Sequence, residues 1–172
     1  SGKLEIAQNA TIENLAHSGS SRIDIDNAKV LTFSNAFEIP DNKSMELIGS
    51  GGRTIDLPDA LKLSGTLKIS STGYTLRNGT LGLSGGLLDV VENTNIGSTI
   101  ALLDNGSISV GSTIEIYPSK TLAYDGGVVD IGSSKLNIQG GGSFINSNSS
   151  ALSLNNANSH LVLDNVSVGF VS

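Results

Sequence analysis

Ile23-Asp24-Ile25-Asp26-Asn27-Ala28 alternates apolar and polar residues and then closes on an asparagine and a small residue. The phrase returns as Tyr74-Thr75-Leu76-Arg77-Asn78-Gly79, Ala101-Leu102-Leu103-Asp104-Asn105-Gly106 and Leu152-Ser153-Leu154-Asn155-Asn156-Ala157. Weaker copies end at Ile48-Gly49-Ser50 and Ile131-Gly132-Ser133. A return about every 26 residues falls in the range of solenoids and arrays. Such a repeat dictates a stack of near-identical coils, because one coil cannot bury its apolar face until the next is laid against it.

Working outward, two further strands follow each copy. Leu31-Thr32-Phe33, Ile55-Asp56-Leu57, Leu81-Gly82-Leu83, Ile108-Ser109-Val110, Leu136-Asn137-Ile138 and Leu161-Val162-Leu163 form one set. Phe37-Glu38-Ile39, Leu61-Lys62-Leu63, Leu87 to Val91, Ile114-Glu115-Ile116, Phe144-Ile145 and Val166-Ser167-Val168 form the other. Alternation of this kind is the period-two signature of strands with one buried face. Leu87-Leu88-Asp89-Val90-Val91 would suit one helical turn as well, and repeat register makes it a strand. Leu102 falls at an outward position if Asn105 is aligned with Asn78, so it either covers a loop or marks a slip of register.

Gly, Asn, Asp and Ser fill the intervals, and they are the residues that tolerate positive φ or fold their side chains onto local backbone. Pro40, Pro58 and Pro118 sit just past strand pairs, where a missing amide donor disturbs a ladder least. The fold expected is all-β: a single-domain parallel β-helix, or β-solenoid, over residues 1–172. It is expected to be right-handed, with about six to seven coils of roughly 23 to 28 residues, giving a rod near 30 Å long at ~4.8 Å per coil.

The ends matter in such a stack, because each exposes an unpaired strand edge and an open apolar core. Ala10 to His17 is the segment placed to close the first coil. Val166-Ser167-Val168-Gly169-Phe170-Val171 carries no charge, so another subunit or further chain is expected against it. The chain starts Ser1-Gly2 and is read as a processed product or a piece of something longer.

A net charge of −6, with only 15% charged residues and no Lys/Arg run, argues against nucleic acid or an anionic membrane as partner. The absence of cysteine excludes a disulfide framework and thiolate metal sites. No apolar run approaches the roughly 20 residues that cross a bilayer, so membrane insertion by this segment is not expected.

The recurrent asparagines Asn27, Asn78, Asn105, Asn156 and Asn165 are candidates for a structural corner or ladder. Their amides can bond to one another and to turn backbone, with Asn78 and Asn105 the best pair. The alternative is that each serves only to adopt left-handed φ, as the Gly substitutes at Gly49 and Gly132 suggest. One position earlier, Arg77 and Asp104 are expected to project outward as an ion pair between adjacent coils.

Catalytic patterns are weaker. Gly82-Leu83-Ser84-Gly85-Gly86 matches a nucleophile elbow, but that motif needs a strand-to-helix turn that nothing here encodes. Asp24 with Asp26, Asp56 with Asp59, and Asp125 with Asp130 lie at different corners without a basic cluster. Aromatic residues that stack sugars amount to 4%, with no tryptophan. No Thr-x-Thr array exists for an ice-binding face. His17 and His160 have no ligand-spaced companions. No catalytic residue, cofactor or obligatory metal is expected. Tripeptides starting at Asn9, Asn42, Asn78, Asn105, Asn148 and Asn165 match glycosylation acceptors.

Leu161-Val162-Leu163-Asp164-Asn165-Val166-Ser167-Val168, together with Ala151-Leu152-Ser153-Leu154-Asn155-Asn156-Ala157, resembles repeats of bacterial surface β-helices such as autotransporter passengers and polymorphic outer-membrane adhesins. The resemblance implies an extracellular or cell-surface location and a structural or adhesive role in a fibre, with a host-surface or carbohydrate ligand. End-to-end self-association or continuation in a longer chain is the expected partnership. The alternatives are a carbohydrate-processing β-helix enzyme and a receptor-binding shaft of a phage fibre.

Overall fold

The computed structural model describes residues 2–58, 60–92 and 94–103, and then 107–110, 113–116, 121–124, 128–130, 135–139, 143–147, 151–153, 160–164 and 167–171. Every strand pairing is parallel, and the described residues include no helix. The first coil carries β1 (Gly2–Ile6) and β2 (Ala10–Ile12). The second carries β3 (Ser21–Ile25), β4 (Val30–Phe33) and β5 (Phe37–Ile39), and the third β6 (Ser44–Gly49), β7 (Arg53–Asp56) and β8 (Leu61–Leu63). β9 (Thr66–Ile69) and β10 (Tyr74–Ser84) make the fourth, β11 (Leu87–Val90) and β12 (Thr94–Leu103) the fifth. β13 (Ser107–Val110), β14 (Thr113–Ile116) and β15 (Thr121–Tyr124) follow, then β16 (Val128–Asp130), β17 (Lys135–Gln139) and β18 (Ser143–Ser147). β19 (Ala151–Ser153), β20 (His160–Asp164) and β21 (Ser167–Val171) complete the stack.

The chain is therefore a β-solenoid. Its first face is the eight-stranded sheet β1-β3-β6-β9-β11-β13-β16-β19, one strand per coil. The second face is β2-β4-β7-β10-β12-β14-β17-β20, and the third runs through β5, β8, the far halves of β10 and β12, then β15, β18 and β21. β10 and β12 pass the corner between these faces without a break, which joins them into one sheet of 13 strands. In β10 that bend is made by Asn78 at φ +62° and Gly79 at φ +47°, where the register to β12 shifts between Arg77 and Thr80. Left-handed backbone at two successive residues re-aims a strand without ending it.

Alternation translates directly into columns. On the first face Ile23, Leu47, Ile69 and Val90 stand over one another in register, and all four are buried. On the second, Leu31, Ile55 and Leu76 do the same, and on the third Ile39, Leu63 and Leu83. Each buried aliphatic side chain contributes about 1.5–3 kcal/mol by leaving water. Parallel in-register stacking lets identical residue types fill one column from coil to coil. Leu87–Val90 is a strand, with Leu88 and Val90 buried, as the repeat register requires.

Two readings of the sequence are corrected. Coils close faster than the phrase suggests: Leu87 lies over Thr66, a step of 21 residues, and Ser107 over Leu87, a step of 20. The first sheet accordingly holds eight strands, beyond the six to seven coils expected. Copies of the phrase also occupy different faces. Ile23–Ile25 belongs to the first sheet, whereas Tyr74, Leu76 and Arg77 pair with Arg53, Ile55 and Asp56 in the second. The physical reason is that apolar-x-apolar-x-Asn-small suits any strand entering a corner, and all corners draw on the same residue chemistry. Leu102 is opposite Leu83 rather than at an outward register position, so the slip is real.

Candidate functional site

Three groups of side chains stand apart from the repetitive core. The first is a set of outward ladders that link coil to coil. Asp56 is the hub on the second face: its carboxylate accepts from Arg77 Nε, from Arg77 Nη2 at 3.0 Å, from Asn78 Nδ2 at 2.9 Å and from Thr32 Oγ1 at 3.4 Å. The Arg77 guanidinium, with smaller help from Thr32 and Asn78, holds the Asp56 carboxyl below its ordinary range against the opposing effect of burial. On the first face Arg22 Nη2 meets Glu46 at 2.7 Å, and Glu46 also accepts from Ser70 Oγ at 2.7 Å. Ser70, then Arg22, draw the Glu46 carboxyl downward. On the third face Glu38 accepts from Ser64 Oγ at 2.6 Å and pairs with Lys62 at 3.2 Å.

The asparagine expectations resolve in two ways. Asn27 Oδ1 accepts from the Gly52 N–H of the next coil at 2.9 Å, which is the bond to turn backbone foreseen for these amides. Asn78 adopts left-handed φ and also donates to Asp56. The two occupy different corners, so they do not form one ladder. Arg77 pairs with Asp56 of the preceding coil, and its register partner in the following coil is Gly97. β10 and β12 are aligned by Leu76 over Ile96, and the expected outward pair of Arg77 with Asp104 falls on a residue outside the described ones. Asp104, Asn105, Asn156 and Asn165 lie outside the described residues. Asp24 and Asp56 are on different faces and each has its own cation, Lys3 at 3.0 Å for Asp24.

Sequence reading missed the second group. Arg53 is buried at 2% exposure among aliphatic columns. Its guanidinium lies 4.4 Å from the centroid of the buried Tyr74 ring and donates through Nη2 to the Thr72 carbonyl, while Nε and Nη1 have no hydrogen-bond partner. The space comes from Gly49: a Cβ there would stand 2.7 Å from Arg53 Nη1, beside Asp24 Oδ1 at 3.1 Å. Tyr74 donates its hydroxyl to the Ile48 carbonyl at 2.6 Å, and burial pushes the phenol above its ordinary value, partly offset by Arg53. Parity alone pointed here, since Arg53 is two residues before the inward Ile55.

The third group is the start of the stack. Segment 13–20 follows β2 in the first coil, where the β2–β4 ladder ends on Ser34 N–H to the Ile12 carbonyl at 3.0 Å, and Asn35 Nδ2 donates to Asn14 Oδ1 of the segment at 3.0 Å. Ile12 and Leu15 pack against the core beside it. An open cavity of about 370 Å³ remains there, with Leu4, Leu15, His17, Ile23 and Met45 in its wall. His17 Nε2 and Ser21 Oγ share a hydrogen bond of 2.8 Å, and Nδ1 is buried without a partner. Burial lowers the affinity of His17 for a proton, with a smaller opposing effect from the Ser44 backbone.

Chemically, the ladders can stiffen and orient but present no paired acid and base aimed at a common point. Among the described residues no three His, Cys, Asp or Glu side chains gather at metal-binding distance, and no helix is long and apolar enough to cross a membrane. No protein-family model, curated protein or solved structure matches this chain.

Proposed function

We propose that this chain is a non-catalytic structural or adhesive segment of an extracellular or cell-surface fibre, whose coils are continued at the ends of the stack by another copy or by further chain. The observation that carries this reading is the position of two exposed leucines. Leu4, 39% exposed, is in register with the buried Ile23 of the first-face column. Leu163, 38% exposed, is in register with Ile138 in the column that contains Leu76. Each is the terminal member of an apolar column in register, and a further coil laid against Leu4 would bury it as Ile23, Leu47, Ile69 and Val90 are buried. The backbone edges of β1 at one end and β19 at the other would take parallel strands in the same way.

Surface chemistry favours a scaffold. Asp56, Glu46 and Glu38 bind cations and hydroxyls of adjacent coils, which consumes their charge along the rod axis. The test is electron microscopy and light scattering of the chain at rising concentration, beside Leu4→Asp. Rods that lengthen for the wild type, and fail to lengthen for the variant, support the reading. A wild type that stays a single short particle at every concentration removes the association by copies, and binding of neither cells nor surface glycans removes the adhesive role.

A further inference from the structure

We infer that segment 13–20 is a proton-sensitive strap over the first apolar end of the solenoid, pinned by the His17–Ser21 contact and released when the imidazole gains a proton. This rests on the fibre reading above, of which it supplies the regulation. The geometry is that of a closure without a strand. Among the described residues β5 pairs only with β8, and the strap makes no ladder bonds to its other edge, Asn35 to Asn14 being the side-chain bond at the strap's beginning. From Leu15 to Ser20 the strap is held by the packing of Leu15 and by His17. Behind them lies the open cavity walled by Leu4, Ile23 and Met45, which would widen if the strap moved away.

His17 is suited to the pin because one ring nitrogen is bonded and the other is not. Nε2 meets Ser21 Oγ at 2.8 Å, and Nδ1 is enclosed with no partner. A neutral ring can direct its lone pair into that enclosed place. A protonated ring must place an N–H there and carry a positive charge with it; the Ser44 backbone offsets only part of that cost, burial being the larger effect. The groups around it do not supply a counter-charge. Glu13 is on the strap itself and exposed. Lys3 on β1 and Arg22 on β3 line the same cavity as cations, Asp24 is paired with Lys3, and Glu46 on β6 is taken by Arg22. Among the described residues no carboxylate lines that cavity, so a protonated His17 would find no counter-charge there. The sign follows: the open strap binds a proton more readily than the closed one, so closure is complete above the ordinary histidine value of 6.5 and weakens as pH falls below it.

The experiment compares protection of 13–20 from limited proteolysis, normalised to cleavage of an unstructured peptide of the same sequence, at about pH 7.5 and about pH 5. Wild type and His17→Phe, whose ring cannot take a proton, are run side by side, and the same samples are followed by light scattering. The expected result is loss of strap protection at the lower pH in the wild type and none in His17→Phe, with growth of the particle in step with the loss. Equal protection at both pH values in the wild type, or the same loss in both proteins, overturns the strap. If His17→Phe does not fold, an NMR titration of the wild-type His17 ring decides: a ring that titrates at or above 6.5 overturns it, and one that titrates lower supports it. Loss of protection without particle growth leaves the strap standing and overturns the fibre reading instead.

Discussion

The Arg53 guanidinium stacks on the Tyr74 ring at 4.4 Å, with both side chains buried in the interior of consecutive coils. Register places them directly over each other, with Thr94 next in the same column. A cation on an aromatic face gains on the order of 2 kcal/mol when desolvated, yet two of the guanidinium nitrogens lack acceptors. Removing such a charge whole costs less than stranding it. Arg53→Met, which keeps the volume, is expected to leave stability within about 1 kcal/mol or to raise it. Tyr74→Ala, which strips the face away and leaves the charge, is expected to cost about 3–5 kcal/mol. Urea midpoints of the two variants decide it, and the argument fails if Arg53→Met proves the more damaging.

Gly79 and Gly82 lie three residues apart in β10 and should answer oppositely to alanine. Gly79 has φ +47°, and a Cβ there would overlap the Pro58 carbonyl of the preceding coil. Gly82 has room, the nearest atom to its Cβ being the Leu61 carbonyl oxygen at 3.8 Å. Gly79→Ala is expected to destabilise by more than about 1–2 kcal/mol. Gly82→Ala is expected to be neutral or to stabilise by about 0.4–1 kcal/mol through the unfolded chain. Thermal melts of the pair test whether the corner in β10 sets the path of the coil.

The columns make a similar contrast between middle and end. Leu63 is fully buried between Ile39 and Leu83, whereas Leu4 is 39% exposed with one neighbour in its column. Truncation of Leu63 to alanine should cost about 2–5 kcal/mol, because a rigid stack closes poorly over the cavity. Truncation of Leu4 should cost less than about 1 kcal/mol in the isolated chain. Equal losses in chemical denaturation would mean that the first coil is covered.

Much of the fold was legible because period-two alternation needs no long-range information: Phe37-Glu38-Ile39 and Leu61-Lys62-Leu63 declare their buried face residue by residue, whereas Leu87 to Val90 needed the repeat register. The identity of each corner was not legible. Corner residues such as Asn27 and Asn78 serve different turns with the same chemistry, and aligning them displaced the whole register of β10. Coils of unequal length hid the ladders for the same reason. Asp56 meets Thr32 24 residues before it and Arg77 21 residues after it, and no fixed period finds both. Arg53 was overlooked because a charged residue before a strand reads as solvated, although counting back from Ile55 puts it inside.

Asp56 gives the pH dependence with the clearest sign. Its carboxyl is held below the ordinary value of 3.8, first by Arg77, so the folded state favours the ionised form. That contribution is fully present above the unfolded value and is lost as pH falls through the folded one. At neutral pH, Asp56→Asn should lower stability by about 1–3 kcal/mol, since an amide cannot accept charge-assisted bonds from Arg77, Asn78 and Thr32 together. Below about pH 4 the difference between wild type and variant should shrink as the wild-type carboxylate is protonated. Glu46 and Glu38 are also drawn down, so the wild type alone will lose stability in acid for several reasons. Only the difference between the two denaturation curves isolates Asp56. A difference that stays constant from neutral pH into the acid range would mean that its ladder binds shape and not charge.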